Sequence, residues 1–239
     1  MVLNADGERL LALIAPALDR LSDAVDAMMG DGKLTRLRLG VLPLFAAQRL
    51  MPQLAQLREA HPELHLDIDT APHAAQRLGE GLDAAIILAR DPDPALHAQR
   101  LDRNHVFAIA ARHYRFGPGG VKSPADISGL TVILHRDMPD TFHEWRRAIG
   151  MPELEPGAID HYDSGQLMLD AAAQGLGVAF MHASHLAGAQ DERLVRLFDE
   201  PVESPYSYWF VCKPKALESH AVRVFHDWLV GAMAERGGV

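Results

Sequence analysis

Two arginine-centred tripeptides are the residues of this chain best suited to hold a charged small molecule: Ala89-Arg90-Asp91 and His135-Arg136-Asp137. A guanidinium is a planar fork of donors that meets a carboxylate through two parallel hydrogen bonds, so either arginine can clamp an acid. The competing expectation is that each is solvated or tied to the aspartate that follows it, Asp91 or Asp137. A third place, Asp163-Ser164, stands just before an apolar helical stretch, where Ser164 can cap the helix as well as touch a ligand. Other reactive types are present without a constellation. The 13 histidines include the close pairs His182 with His185 and His61 with His65, but there is no His-Glu-x-x-His and no cysteine pair. Pro62 also breaks helical spacing between His61 and His65, so no metal site is expected. Gly175-Leu176-Gly177 follows a helix and precedes a strand, the reverse of the order a dinucleotide loop needs. Without a Gly-x-Ser-x-Gly elbow or a phosphate loop, neither nucleophilic nor phosphoryl chemistry has an anchor. No catalytic residue and no cofactor is expected, and the chain reads as a binder rather than an enzyme.

The elements that must position these residues follow from periodicity. Leu37, Leu39 and Val41 alternate with Arg36, Arg38 and Gly40 as a strand, and Pro43 ends it. Leu50, Leu54 and Leu57 mark one face of a helix that stops at His61-Pro62, after which Leu64, Leu66 and Ile68 alternate again. Residues 73–82 are expected as a further helix, 84–88 as a continuous apolar strand ending just before Arg90, and 106–111 as another strand. After Pro118-Gly119-Gly120 the alternation restarts, with strands at 131–134, near Ile159 and at 178–181, and helices at 142–149 and 166–174. A strand at 206–212 and a helix at 219–233 close the chain. Strands alternating with helices predict an α/β fold with parallel-rich sheets in two units. Open sheets of this class bind ligands at the carboxyl ends of strands, near helix N-termini. That rule adds Leu42, Pro43, Leu44 and Phe45, beyond the first strand, to Ala89, Arg90, Asp91, His135, Arg136, Asp163 and Ser164, although Phe45 reads more as core than as cleft wall.

Ahead of the first strand, Leu11, Ile14, Leu18, Leu21, Val25 and Met28 recur at spacings of three and four, one apolar seam along a helix. Asn4 is placed to cap it, Asp6 and Glu8 fall in the first turn, and Pro16 is expected to kink it. The seam fits either a partner helix or the chain's own domain. Over 239 residues the formal charge is −9, which argues against direct contact with nucleic acid, since phosphates call for clustered Lys and Arg. The single cysteine, Cys212, excludes an internal disulfide and sits in Tyr208-Trp209-Phe210-Val211 as a buried strand thiol. No basic, apolar leader and no span of about 20 apolar residues is present, so a cytoplasmic protein off the membrane is expected.

Taken in order, several segments resemble the effector-binding domain of LysR-type transcriptional regulators, most closely the branch controlling glycine-cleavage and beta-lactamase genes. Leu3-Asn4-Ala5-Asp6-Gly7 is similar to the start of that family's linker helix, with Asn4 in place of its capping threonine. Leu50-Met51-Pro52 with His61-Pro62-Glu63-Leu64, then Leu78-Gly79-Glu80-Gly81-Leu82-Asp83-Ala84-Ala85-Ile86, then Ser123-Pro124-Ala125-Asp126-Ile127 and Gly175-Leu176-Gly177-Val178-Ala179 follow in family order. The branch often carries a hydroxyl where this chain has Leu44. The resemblance implies two Rossmann-like subdomains joined by two crossover strands, the arrangement of type 2 periplasmic binding proteins, behind a linker and dimerisation helix at 1–30. It places subdomain I at 36–110 and 208–239 and subdomain II at 111–207, with hinges near Ala110-Ala111 and Tyr208-Trp209. It further implies a small-molecule effector in the cleft (an amino acid, a peptide fragment or a small acid) and a homodimer or homotetramer in which the 50–57 helix meets subdomain II of another copy. Promoter DNA would be contacted only through an N-terminal winged helix-turn-helix, for which there is no room before Leu3. A free-standing solute-binding protein of a transport system is the alternative reading.

Overall fold

In the computed structural model, residues 4, 6, 7, 10, 14, 35–70 and 73–234 are described. The alternating segment after residue 34 forms β1 (Thr35–Val41), whose inward Leu37, Leu39 and Val41 are fully buried. It runs parallel to β2 (Leu64–Asp69) on one side and to β3 (Ala84–Ala89) on the other. The first sheet is completed by β4 (His97–Arg100) and β11 (Ser207–Cys212), both in antiparallel pairs, in the order β2-β1-β3-β11-β4. The second sheet holds β5 (His105–Ala111), β6 (Thr131–His135), β7 (Ala158–Tyr162), β8 (Val178–His182) and β10 (Val202–Glu203) in the order β10-β5-β8-β6-β7, with β9 (Leu194–Arg196) paired to β5. Both sheets are mixed: parallel pairs at β1, β2, β3 and at β6, β7, β8 are flanked by antiparallel strands.

Between β1 and β2 the chain is helical from 43 to 60 (α1), but not uniformly so. Pro52 has no N–H to give, and the ladder adjusts around it with a π turn at Ala46–Leu50 and a 3-10 turn at Met51–Gln53 before α-geometry resumes at Leu54–Ala60. Leu50 and Leu57 face the first core, as their spacing predicts. Later helices are α2 (Arg112–Phe116), α3 (Asp140–Ala148), α4 (Gly165–Ala173), α5 (Ala183–Ala189) and α6 (His220–Ala234). On α6, Val222, Phe225, Leu229 and Met233 are buried on the first sheet at helical spacing. Each such large side chain contributes about 1.5–3 kcal/mol on burial.

Two expectations need correction. Residues 73–82 are not a helix: a 3-10 turn covers Ala74–Arg77 and then the chain loops, with Gly79 and Gly81 at φ of 80° and 120° and a bridge from Leu78 to Leu82. Those φ values lie in the region glycine enters freely and a helix excludes. The two passages between sheets are also displaced from Ala110-Ala111 and Tyr208-Trp209. The whole of 105–111 pairs within the second sheet, and 208–209 within the first, so the chain crosses at 101–104 and returns at 204–206. The physical reason is that Val106 to Ala111 is one buried apolar run with strand partners along its length, whereas Asp102, Arg103 and Asn104 are polar. The two crossing segments are tied together by Ser204 N–H donating to Asn104 O at 2.8 Å.

Near the N-terminus, Gly7 N–H donates to Asn4 Oδ1 at 2.9 Å, the capping role expected of Asn4. Asp6, Gly7, Leu10 and Ile14 are helical, with Leu10 and Ile14 exposed. The seam positions Leu11, Leu18, Leu21, Val25 and Met28, together with Glu8 and Pro16, lie outside the described residues. Cys212 is fully buried in β11, and burial pushes its thiol up to about 11. Among the described residues no helix is long and apolar enough to cross a membrane.

Candidate functional site

A cavity of about 610 Å³ lies between the two sheets. The loop after β1 supplies Leu42, Pro43 and Leu44, and β3 lines one wall with Ile86, Ile87 and Leu88. Opposite stand His135 at the end of β6, then Asp163 and Ser164 ahead of α4, and the floor is Met181, His182, His185 and Tyr208. Residues at strand ends of both sheets thus reach the cavity.

The deep end is a buried polar cluster. His182 Nε2 is hydrogen bonded to Ser204 Oγ at 2.7 Å, His185 Nε2 to the Tyr208 hydroxyl at 2.9 Å, and the two imidazoles stack 5.1 Å apart. Burial holds His182 down at about 4 and His185 well below the ordinary histidine value, so both rings are neutral at pH 7; burial also raises the Tyr208 phenol. Behind them Arg49 is paired with Asp102 at side-chain exposures of 14% and 9%. Asp102 also accepts from Tyr208 N–H at 2.9 Å, and the Arg49 guanidinium lies over the rings of Phe45 and Tyr208. Arg49, Asp102, His182, His185, Ser204 and Tyr208 come from six different segments: α1, the 101–104 crossing, β8, α5, the 204–206 crossing and β11.

The mouth is wetter. His135 Nδ1 accepts from Asp137 N–H at 3.2 Å; burial lowers its proton affinity while Asp137 and Asp163 pull the other way. Arg90, just past β3, reaches Asp140 at the start of α3 at 3.2 Å and lies over the Tyr206 ring. It spans the two sheets rather than facing the cavity. Apolar packing also crosses the gap: Leu44 is 5% exposed and belongs to the cluster of Phe107, Ile109, Met168 and Met181 on the second sheet. Gln48 Nε2 donates to His185 O at 3.2 Å.

Of the residues singled out from sequence, Leu42, Pro43, Leu44, His135, Asp163 and Ser164 line the cavity, and Ser164 occupies the N-cap position of α4 without a side-chain capping bond. Phe45 does not; it is core, its ring 4.7 Å from that of Tyr208. Ala89, Arg90, Asp91 and Arg136 also fall outside the lining: Ala89 O accepts from Trp209 Nε1 at 3.0 Å, Arg90 is engaged by Asp140, and Asp91 and Arg136 are exposed. Asp137, read only as a partner for Arg136, lines the cavity instead. The sequence reading missed Thr70, His73, Gln76, Thr141, Met168, Phe180, Tyr208 and the histidine pair as lining. The pair was visible as a spacing but weighed only as metal ligands; among the described residues no three His, Cys, Asp or Glu side chains converge as a metal would require.

Comparison with known proteins gives a consistent picture. Residues 30–234 match the family described as LysR substrate binding domain. The HTH-type transcriptional activator AmpR of Enterobacter cloacae is 28% identical over 98% of this chain and 79% of its own length. The glycine cleavage system transcriptional activator of Escherichia coli K12 is 22% identical over 98% of this chain and 77% of its own length. Among solved structures, the effector domain of the transcriptional regulator AmpR of Pseudomonas aeruginosa superposes with a TM-score of 0.73 at 26% identity, covering 85% of this chain and 97% of that one.

Proposed function

This chain belongs to the LysR substrate-binding domain family, and on that premise we propose that it senses a small molecule in the cavity between its two sheets and relays the event to a DNA-reading domain of a transcriptional regulator. The observation that carries this is the cavity itself: its walls come from two sheets joined by two short crossings, 101–104 and 204–206. A ligand that touches both walls stabilises the closed arrangement by the difference between its affinities for closed and open forms, and by no more than that. The relatives are regulators rather than enzymes, and a transport receptor is the less supported reading.

The finer parts of the proposal follow the family resemblance. The protein works in the cytoplasm as a homodimer or tetramer, with the 50–57 part of α1 set against the second sheet's unit of another copy. DNA is contacted through a winged helix-turn-helix outside residues 1–239. Sedimentation separates this from a transport receptor, which is expected to be monomeric. The central test is a thermal-shift screen of small molecules on this chain, since a ligand confined to the native state at a hundred times its Kd adds about 2.7 kcal/mol. Paired labels on the two sheets should report a shorter distance with each hit. Hits that leave the distance unchanged in every case refute the relay.

A further inference from the structure

The cavity's charge, read with its unpartnered buried atoms, says more about the effector than the sequence does, provided the cavity is the sensing site proposed above. Among the described residues no lysine or arginine lines it. Described arginines near it are elsewhere engaged or exposed: Arg90 is held by Asp140, Arg77 is paired with Asp69, Arg49 lies behind Tyr208 and is paired with Asp102, and Arg136 is exposed beyond the lining. Two carboxylates do line it, Asp137 and Asp163, both exposed at the mouth on either side of His135 in the fold, and neither has an ion-pair partner among the described residues. The N-terminus of α4 offers about half a positive charge, against these two full negative ones. An anionic ligand would leave water for a site without a cation, which is costly. At the far end the Nδ1 atoms of His182 and His185 are buried without a hydrogen-bond partner, on side chains 4% and 5% exposed that form the cavity floor. The two imidazoles thus give the floor of the cavity neutral polar side chains whose second nitrogen no protein group satisfies. Between the ends the walls are mainly apolar, with Leu42, Leu88, Met168 and Met181, alongside the uncharged polar side chains of Thr70, Gln76 and Thr141 and the imidazole of His73.

We infer that the cavity selects an effector with a positively charged nitrogen on an apolar body, its ammonium group held by Asp137 and Asp163 at the mouth and a neutral hydrogen-bonding group at its other end meeting His182 and His185. A small acid, the class that Arg90 or Arg136 could have clamped, is disfavoured.

The test uses three probes on one skeleton: tyramine, tyrosol and para-hydroxyphenylacetate, which share the phenol and differ in the charge of the other end. Calorimetric titration of this chain should rank tyramine tightest and the acid weakest. The double variant D137N/D163N should weaken tyramine about tenfold, two exposed ion pairs lost together, and leave tyrosol unchanged. Asp91→Asn, which removes an exposed charge outside the lining, should leave all three unchanged. If the acid binds more tightly than tyramine, or if the double variant holds tyramine as well as the parent does, the inference is overturned while the sensing function stands. Absence of binding by all three also overturns it, and reaches the sensing function only if the wider screen is silent too.

Discussion

At the deep end of the cavity, Arg49, Asp102, His182, His185 and Tyr208 are buried and bonded mainly to one another; at the mouth, Arg90, Asp140, Asp137 and Asp163 are in contact with water. The chemistry is similar, carboxylates and cations with aromatic neighbours, yet the energetic consequences differ because screening separates them. A buried ion pair is expensive to half-dismantle, whereas an exposed one is worth little. The deep cluster therefore fixes how the two sheets and both crossings meet, and the mouth is left free to respond to a guest.

The comparison breaks most visibly at Asp102. Asp102→Ala leaves Arg49 charged and buried, and should cost about 3–5 kcal/mol in urea unfolding, with Arg49→Ala similar. If either costs no more than a surface pair would, the distinction between the two ends fails. A smaller effect is expected from acid. His182 titrates at about 4 when folded and near 6.5 when unfolded, so the unfolded chain binds the extra proton. Stability is thus full above pH 6.5 and falls as the pH drops toward 4, by about 3 kcal/mol from this residue. Unfolding curves at pH 7, 5.5 and 4.5 should show the decline, and His182→Gln should make it shallower, the remainder coming from His185, which burial also holds low. Next comes Tyr208→Phe, which strips the hydroxyl from His185 Nε2 and leaves a buried ring nitrogen unmet, at about 1–3 kcal/mol by the same assay. The smallest effect belongs to the mouth: Arg90→Ala should change stability by less than about 1 kcal/mol, while lengthening the distance between sheets measured by paired labels. A large loss of stability there would show that Arg90 is structural rather than a strap across the opening.

Much of the fold was legible because its strands carry strong local patterns: the alternation at 37–41 and the apolar runs at 84–88 and 106–111 all appear as strands. What failed was governed by single residues or by distant partners. Gly79 and Gly81 defeat a helix that composition alone allows, and β4, at His97–Arg100, has no apolar pattern because its pairing is given by β11, more than a hundred residues later. At the site, the strand-end rule located Leu42, Leu44, His135 and Asp163, since it depends only on where strands stop. It could not see Arg90 reaching Asp140 rather than Asp91, nor His185 reaching Tyr208, because both contacts join segments brought together by the crossings. The motif aspartate Asp83 is likewise explained only by tertiary structure: its carboxylate accepts from the backbone N–H of Arg38 at 2.8 Å and pairs with that residue's guanidinium, pinning β3 to β1.

The seam between Leu44 and the start of α4 has a use as a ruler. A methyl group placed on Gly165 would stand 2.9 Å from Leu44 Cδ2, closer than carbon atoms tolerate, with the neighbour on the other sheet. A turn of the Leu44 side-chain end can make room for an alanine at 165, whereas bulkier residues there should act as shims that hold the jaws ajar. Trimming Leu44 to alanine should let a bulkier shim seat without that jam.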